Sequence, residues 1–325
     1  MLYLLYLPGL FLLLHVYFWL ADRFNIIDEP NHRSSHKHVT IRGAGIIFPI
    51  AVITHALLTG FDYPLFVSGL LLISFVSFYD DLRPLSNKIR VLAHLIAVFL
   101  LFKEADLISY PFWIIILSFI LVIGAINAYN FMDGINGITG SYSLVTLLAL
   151  CFINQWELTF VLNEWLIVSI LALMVFNFFN FRKKARCFAG DVGSVSIAFV
   201  IIFFLLLLIL SAGDLKYIGL LLVYGLDSVI TIIFRLIRGE NIFKAHRSHF
   251  YQYLANVKKW PQLSVSVLYA LVQLLISAII IYIDLSLIQL FLFFIICGSV
   301  FVCIRFLVEG RGYLLSKKVI DTNSA

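Results

Sequence analysis

Five short polar segments interrupt a chain that is otherwise strongly apolar, and their residue types suit phosphate and metal chemistry. They contain residues 31–45, Asp80-Asp81, Asn130 with Asp133, Asp191, and His246-Arg247 with His249. Adjacent carboxylates repel each other unless a cation or a shared proton relieves the repulsion. Carboxylate oxygens are ligands that Mg²⁺ prefers, whereas arginine and histidine donors bind phosphate oxygens. The segments therefore predict a site that binds a divalent cation together with a phosphate-bearing substrate.

The elements that must position these residues are membrane-spanning helices. Of the 325 residues, 62% are hydrophobic and 13% are charged, whereas soluble domains carry about 25% charged residues. Only helices or closed barrels span a bilayer, and the alternating pattern of a barrel is absent. We predict an all-α integral membrane protein, a single polytopic domain over residues 1–325, with about eleven transmembrane helices. The expected spans lie near residues 2–20, 45–60, 64–79, 90–102, 111–127, 139–153, 161–180, 194–211, 217–234, 264–283 and 285–304.

The distribution of basic residues predicts the orientation of these spans. All but two of the 23 Lys and Arg residues fall in the odd-numbered connections or the C-terminal tail; the exceptions are Lys103 and Lys216. Because basic connections stay in the cytoplasm, we place the polar segments and the C-terminus there and the N-terminus outside. The first run, residues 2–20, lacks the pattern of a cleaved signal peptide. A net charge of +5 suits anionic lipid and substrate and requires no nucleic-acid partner.

The first polar segment predicts an anion-binding loop. Residues 31–45 include Arg33, His36 and Arg42 as well as glycines, and such donors suit a bound anion. A basic anchor that only fixes topology is the alternative, which this loop by itself leaves open.

The second segment predicts metal or phosphate binding at the cytoplasmic end of the third span. Asp80 and Asp81 are adjacent there, and the alternative is an acidic helix end paired with Arg83. Arg90 and His94 are four residues apart, so they share a helix face from which they could reach the same phosphates.

The third segment contains Asn130 and Asp133, which are neighbours if the fifth helix continues this far. Gly134 and Gly137 then allow the backbone to turn closely. A simple helix stop is the alternative, but this cytoplasmic connection contains no Lys or Arg, so its polarity is not explained by topology.

The fourth segment predicts a phosphate and metal cradle at the start of a helix. Asp191 lies between Gly190 and Gly193, and Ser194 is expected to be the N-cap of the eighth span. The alternative is an aspartate that serves only as a helix cap.

The fifth segment places two histidines around an arginine. His246, Arg247 and His249 suit a diphosphate or help to order a metal site, although single histidines are usually structural. Asp227 lies inside the ninth span, where an acidic residue is a functional candidate by default.

Taken in order, these segments resemble the signatures of the polyprenyl-phosphate N-acetylhexosamine-1-phosphate transferases of glycosyltransferase family 4. The resemblance covers about residues 31–252. Asp80-Asp81 is similar to the aspartate pair of that family, residues 130–134 to its N-x-x-D-G signature, and residues 190–194 to its G-D-x-G-S element. Residues 246–249 lie at its late histidine motif, and their HRSH form most resembles the enzymes that initiate O-antigen synthesis.

The resemblance implies transfer of a sugar 1-phosphate, of the N-acetylhexosamine type, from a UDP-sugar to undecaprenyl phosphate with release of UMP. It implies dependence on Mg²⁺, with Mn²⁺ as an alternative, and a multi-pass protein of the bacterial inner membrane whose active site faces the cytoplasm. It also allows a homodimer.

The same resemblance implies roles for individual residues. Asp191 would be the Mg²⁺ ligand, one of Asp80 and Asp81 would deprotonate or orient the acceptor phosphate, and Asn130 and Asp133 would position metal or nucleotide. A covalent intermediate on an aspartate stays open. The remaining substrate-binding residues would be Arg33, His36, Arg42, Arg90, His246, Arg247 and His249.

Two other classes of membrane protein compete with this interpretation. A transporter would place its polar residues near the bilayer midplane in broken helices, whereas these residues cluster at the cytoplasmic ends. An intramembrane aspartyl protease would use Asp80 and Asp191, but it leaves Asp81, Asn130 and Asp133 without a role.

Overall fold

The long apolar runs fold into helices, as expected for a chain whose backbone groups must be paired inside lipid. The structure, a computed structural model, describes residues 3–28, 39–242 and 246–316. The α-helices are α1 Tyr3–Phe24, α2 Ile47–Thr59, α3 Pro64–Leu82, α4 Asn87–Glu104, α5 Phe112–Met132, α6 Ile138–Trp156, α7 Asn163–Asn180, α8 Gly190–Ala212, α9 Leu222–Ile237, α10 Phe250–Gln252, α11 Gln262–Tyr282, α12 Leu287–Glu309 and α13 Arg311–Leu315. Short 3₁₀ segments, Ala44–Ile46 and Leu215–Leu221, precede α2 and α9, and a π-helical turn, Tyr253–Val257, follows α10.

The helices confirm a multi-pass α-helical membrane protein. Within the described part of the chain, nine helical segments are long and apolar enough to cross a membrane. Two of the expected spans are not among them. The segment Ala44–Thr59 is shorter, and α4 carries Lys88, Arg90, Lys103 and Glu104 near its ends. The count of eleven spans therefore stays a prediction.

Helix α8 forms the centre of the protein. It is apolar on all sides, and 67% of its most apolar stretch is buried inside the protein. This is the pattern of a helix surrounded by other helices. Helices α2, α3, α5 and α6 pack against it. At the other extreme, only 6% of the corresponding stretch of α12 is buried. Because α8 contacts so many elements, its N-terminal end is where residues from distant segments can meet.

A two-stranded ladder differs from the purely helical expectation. Strand β1, Ile27–Asp28, pairs antiparallel with β2, Thr40–Ile41, so that Ile27 faces Ile41. Ile41 also forms a parallel bridge with Cys187, and the amide of Ala44 donates to the carbonyl oxygen of Phe188 at 3.0 Å. These backbone groups lie between helices, where they cannot be paired within a helix, and so they pair with one another. The ladder joins the first polar segment to the residues before α8.

Candidate active site

Asp81 holds the beginning of α8 from the end of α3. Its carboxylate accepts hydrogen bonds from the backbone amides of Asp191 and Val192, both at 3.0 Å. The side chain is fully buried and also pairs with Nε of Arg42 at 2.7 Å. A helix N-terminus carries unpaired amides and a partial positive charge, and both favour a carboxylate. Asp81 therefore acts as the N-terminal cap of α8, although it lies 110 residues before Asp191 in the sequence.

The expected N-cap role of Ser194 is wrong. Helix α8 begins four residues earlier, at Gly190, because the Asp81 carboxylate already satisfies the first amides. The Ser194 hydroxyl instead bonds to the carbonyl oxygen of Gly190 at 3.2 Å and to Oδ1 of Asn130 at 3.1 Å. Asn130, at the end of α5, is thereby tied to the first turn of α8.

Asp191 is the more accessible acid of this cluster, with 23% of its side chain exposed. Nη2 of Arg42 lies 3.5 Å from its Oδ1, and the carboxylate of Asp80 lies close to it. Burial works against the charge of Arg42, but the carboxylates of Asp81 and Asp191 outweigh it and raise the pKa of Arg42 above its usual value. A contact between two carboxylates needs a shared proton or a cation.

The two adjacent aspartates have different surroundings. Asp80 accepts from Nη1 of Arg90 at 3.0 Å and from the amide of Leu85 at 2.5 Å. Arg90 reaches back from α4, as its position on the helix face suggested. Asp81 points towards α8 and Arg42, whereas Asp80 faces Arg90 and Asp191. The two adjacent carboxylates therefore have different partners.

Asp133 follows the last residue of α5 and is half-buried. Burial raises the pKa of Asp133 to about 6, and the negative charge of Asp81 adds to the increase. The connection after it is held by Asn180, whose Oδ1 accepts from the amide of Gly137 at 2.8 Å. Nδ2 of the Asn180 side chain donates to the carbonyl oxygen of Cys187 at 2.8 Å. Asn180 thus fastens the third segment to the fourth.

The late histidine segment lies against the third segment. The rings of His246 and His249 stack with centroids 4.9 Å apart, and the ring of Phe131 lies 6.2 Å from that of His246. The hydroxyl of Tyr251 donates to the carbonyl oxygen of Phe131 at 2.9 Å. Burial, with a further contribution from His249, lowers the pKa of His246 to about 3. The His246 ring is therefore neutral at physiological pH.

The structure brings most of the predicted residues into two adjoining groups. Asp80, Asp81, Asp191, Arg42 and Arg90 form the first group. The second consists of His246 and His249 beside the Asn130–Asp133 segment, and Arg247 belongs to the same loop. Arg33 and His36 lie outside the described residues.

Sequence reasoning missed two residues that hold the site together. Asn180, at the end of α7, and Tyr251, after the histidines, act through backbone contacts with other segments. No sequence spacing from a motif identifies either residue, because each contact joins parts of the chain that are far apart in sequence.

The donor set fits a divalent cation that also binds substrate. Across residues 3–28, 39–242 and 246–316, no group of three or more His, Cys, Asp or Glu side chains is arranged to hold a metal by itself. Mg²⁺ is usually held by one or two carboxylates plus substrate phosphates. The contact between Asp80 and Asp191 offers two carboxylates whose mutual repulsion such an ion would relieve.

The comparison with known families agrees with this geometry. Residues 63–209, which contain the Asp80-Asp81, Asn130–Asp133 and Asp191 segments, match the sequence profile of glycosyl transferase family 4. This match, over a little less than half of the chain, agrees with the resemblance inferred from the motifs.

Several relatives align over half to three quarters of the chain. A probable undecaprenyl-phosphate N-acetylglucosaminyl 1-phosphate transferase of Bacillus subtilis is 24% identical over 77% of this chain and 75% of the relative. The undecaprenyl-phosphate alpha-N-acetylglucosaminyl 1-phosphate transferase of Salmonella typhi is 26% identical over 75% and 74%. Its counterpart in Escherichia coli K12 is 28% identical, and the aligned part spans 57% of this chain and 56% of that enzyme.

Proposed function

We propose that this protein transfers a sugar 1-phosphate from a UDP-sugar to undecaprenyl phosphate and releases UMP. The named relatives carry out this class of reaction with N-acetylglucosamine, and an N-acetylhexosamine is the sugar proposed here. The product would be the first lipid-linked intermediate of a surface polysaccharide such as O-antigen, in keeping with the HRSH form of the late motif.

The observation that carries the proposal is the meeting of three family segments at the N-terminus of α8. Asp81 binds the amides of the helix, Asp191 lies in its first turn, and Asn130 bonds to Ser194. Phosphoryl transfer depends mainly on positioning and on neutralising charge. These side chains supply both.

Individual roles follow from these surroundings. Asp191 and Asp80 would hold Mg²⁺, or Mn²⁺ in its place, and the ion would neutralise charge on the transferred phosphate. Asp80 is the better of the adjacent pair for orienting the acceptor phosphate, because the Asp81 carboxylate is fully engaged with α8 and Arg42. Asn130 and Asp133 would position the nucleotide or the metal. Arg42 and Arg90 would bind phosphate oxygens.

The late histidine segment and the first loop would complete the donor-sugar site. His246, which is neutral, and His249 lie beside Phe131, and Arg247 belongs to the same loop. Arg33 and His36 keep the substrate-binding roles that the family resemblance implies.

The proposal includes an orientation in the membrane. The protein would form one polytopic domain of eleven spans in a bacterial inner membrane, with the site on the cytoplasmic face, where UDP-sugars are found. The bias of Lys and Arg towards that face supports this arrangement. A homodimer is compatible with it.

The contact between Asp80 and Asp191 is also the one that an aspartyl protease would need. The match to glycosyl transferase family 4 favours the transferase, and a protease would leave Asn130 and Asp133 without a role. The two functions differ in their products, so one experiment separates them.

The test uses membranes containing the full chain, undecaprenyl phosphate and a panel of UDP-sugars, with UMP release measured with and without Mg²⁺. We expect UMP to be released with at least one sugar, and only when the divalent cation is present. Membranes that release no metal-dependent UMP from any sugar would contradict the proposal, and peptide cleavage without metal would support the protease.

A further inference from the structure

A carboxylate in the ninth span lies behind the late histidine segment. Asp227 of α9 is completely buried, and an acid within an apolar span is costly unless it is paired. Its carboxylate accepts hydrogen bonds from Nδ1 of His249 at 3.3 Å, the amides of Phe250 at 3.0 Å and Tyr251 at 3.4 Å, and the hydroxyls of Tyr269 at 2.6 Å and Thr231 at 3.1 Å.

These contacts determine which nitrogen of His249 can meet a ligand. An ionised carboxylate only accepts hydrogen bonds, so Nδ1 of His249 carries the proton that it shares with Asp227. Nε2 is buried and has no hydrogen-bond partner among the described residues. Buried polar atoms are nearly always paired, so this unpaired nitrogen on an oriented ring is well placed to meet a ligand.

The free nitrogen belongs to a ring at the candidate active site. The His249 ring stacks on His246 at 4.9 Å and lies 6.3 Å from the ring of Phe131, within the Asn130–Asp133 segment. Tyr251 fixes the same loop to the carbonyl oxygen of Phe131. The histidine is therefore held from one side by Asp227 and from the other by the third segment.

A second buried group supports the loop from α12. Arg305 is almost completely buried and donates to the carbonyl oxygen of Ser248 at 2.9 Å. It also donates to Thr231 at 2.7 Å and to Glu309 at 3.1 Å. Thr231 in turn bonds to Asp227. The residue before His249 is thus fixed by the same polar network, which reduces the freedom of the loop.

We propose that Asp227 is a positioning residue that acts through His249. It fixes the orientation of the ring and presents Nε2 to the phosphate-bearing substrate, in the way that second carboxylates orient functional histidines elsewhere. This inference rests on the proposed transferase function. The substrate contact itself is made by His249.

The experiment is a double-mutant cycle in the full-length protein. Asp227→Asn keeps the size of the side chain and one oxygen acceptor, but it removes the negative charge that faces Nδ1 of His249. His249→Gln removes the ring. We measure kcat/KM for UMP release with UDP-N-acetylglucosamine and undecaprenyl phosphate, and Kd for UDP by calorimetry. Each single substitution should lower kcat/KM by about 10- to 100-fold.

The combination distinguishes a role through His249 from a general structural role. If Asp227 acts through the ring, the double variant should be no more than about threefold worse than the worse single variant, because linked groups are not additive. Losses that multiply, or full activity in Asp227→Asn, would overturn the inference. The Kd for UDP should follow the same pattern.

Two control variants separate positioning from loss of fold. Tyr269→Phe removes one donor to the same carboxylate and should change kcat/KM by no more than about fivefold. Asn154→Ala removes a buried side chain from the connection between α6 and α7, at the end of the bundle away from the candidate site. There Asn154 donates to the carbonyl oxygen of Val161. It should lower the unfolding temperature without changing kcat/KM or Kd.

The failure of the proposed function gives a different result. A wild-type protein that releases no UMP but binds UDP would contradict the transferase, and the Kd cycle would still test Asp227. Additive losses in Kd would then overturn the positioning role independently of turnover.

Discussion

At the scale of single residues, the acids of this site fall into two kinds. Asp81 is fully buried and bound to two backbone amides and Arg42, whereas Asp191 is partly exposed and contacts Asp80. The first kind supports the fold of the site, and the second is available to ligands. Substitution of each should therefore have a different effect on stability.

We predict that Asp191→Asn abolishes UMP release while leaving the unfolding temperature of the detergent-purified protein nearly unchanged. Asp81→Asn should lose activity and also unfold at a lower temperature, because weakening the acceptor of two backbone amides costs about 1–3 kcal/mol. Activity assays and thermal unfolding of both variants check this. A stable Asp81→Asn protein, or an active Asp191→Asn protein, would contradict the assignment.

Asp133 should make the free protein less stable as pH rises. Burial raises the pKa of Asp133 to about 6, above its value in the unfolded chain. The protonated form is therefore favoured by folding, and the contribution to stability present below about pH 4 is lost as pH rises through 6.

The corresponding variant is Asp133→Asn, which removes the charge. Without metal or substrate, it should unfold at a higher temperature than the wild type at pH 7.5, and this difference should disappear near pH 4. UMP release should nevertheless fall. Asp284→Asn alters a carboxylate that is fully exposed and should leave the pH dependence unchanged. Equal stability of the wild type and Asp133→Asn at pH 7.5 would refute the raised pKa.

At the scale of secondary structure, the site depends on how closely α8 approaches the 3₁₀ segment before α2. The amide of Gly45 donates to the carbonyl oxygen of Ala189 at 3.1 Å. A Cβ on Gly45 would collide with Cα of Gly193 and lie 2.8 Å from the Ala189 oxygen. Only glycine permits this contact, which sets the position of the first turn of α8 relative to Arg42.

We predict that Gly45→Ala moves the start of α8. Overpacking of this kind costs about 1–3 kcal/mol, and a displacement of about 1 Å can reduce turnover on the order of 100-fold. Gly124→Ala is the matched control, because a Cβ at Gly124 in α5 meets no atom within 4 Å. The unfolding temperature and the rate of UMP release should both fall for Gly45→Ala and stay unchanged for Gly124→Ala. Similar behaviour of the two variants would show that the close approach is unimportant.

At the scale of the whole molecule, the remaining question is the direction in which the helices cross the membrane. The two ends of the bundle differ in charge, since Lys103 and Lys216 are the basic residues expected on the outer side. Anionic lipid and nucleotide both favour the basic side in the cytoplasm. The orientation determines whether the site can reach UDP-sugars.

Labelling of single cysteines tests the orientation. In a variant without Cys151, Cys187, Cys297 and Cys303, a membrane-impermeant maleimide applied to spheroplasts should label Asp284→Cys. Lys184→Cys should react only after the membrane is permeabilised. Both positions are exposed in connections at opposite ends of the bundle. The reverse pattern would place the site outside the cytoplasm and contradict the proposed orientation.

The sequence by itself determined the helical membrane class, most of the helix positions and the identity of the polar segments. These properties follow from local patterns, because the length and hydropathy of a run decide whether it can lie in lipid. The order of the motifs was sufficient to recognise the family. The two-stranded ladder and the start of α8 at Gly190 were not predicted, since both depend on partners elsewhere in the chain.

Only the tertiary structure decided how the acids divide their work. Asp81 and the amide of Asp191 are 110 residues apart in sequence, and Asp227 meets His249 across 22 residues and a change of element. No local pattern encodes such contacts, because they arise when separate helices pack around α8 and α9. A carboxylate that caps a distant helix and one that can bind a metal look identical in sequence, and their partners in space are what distinguish them.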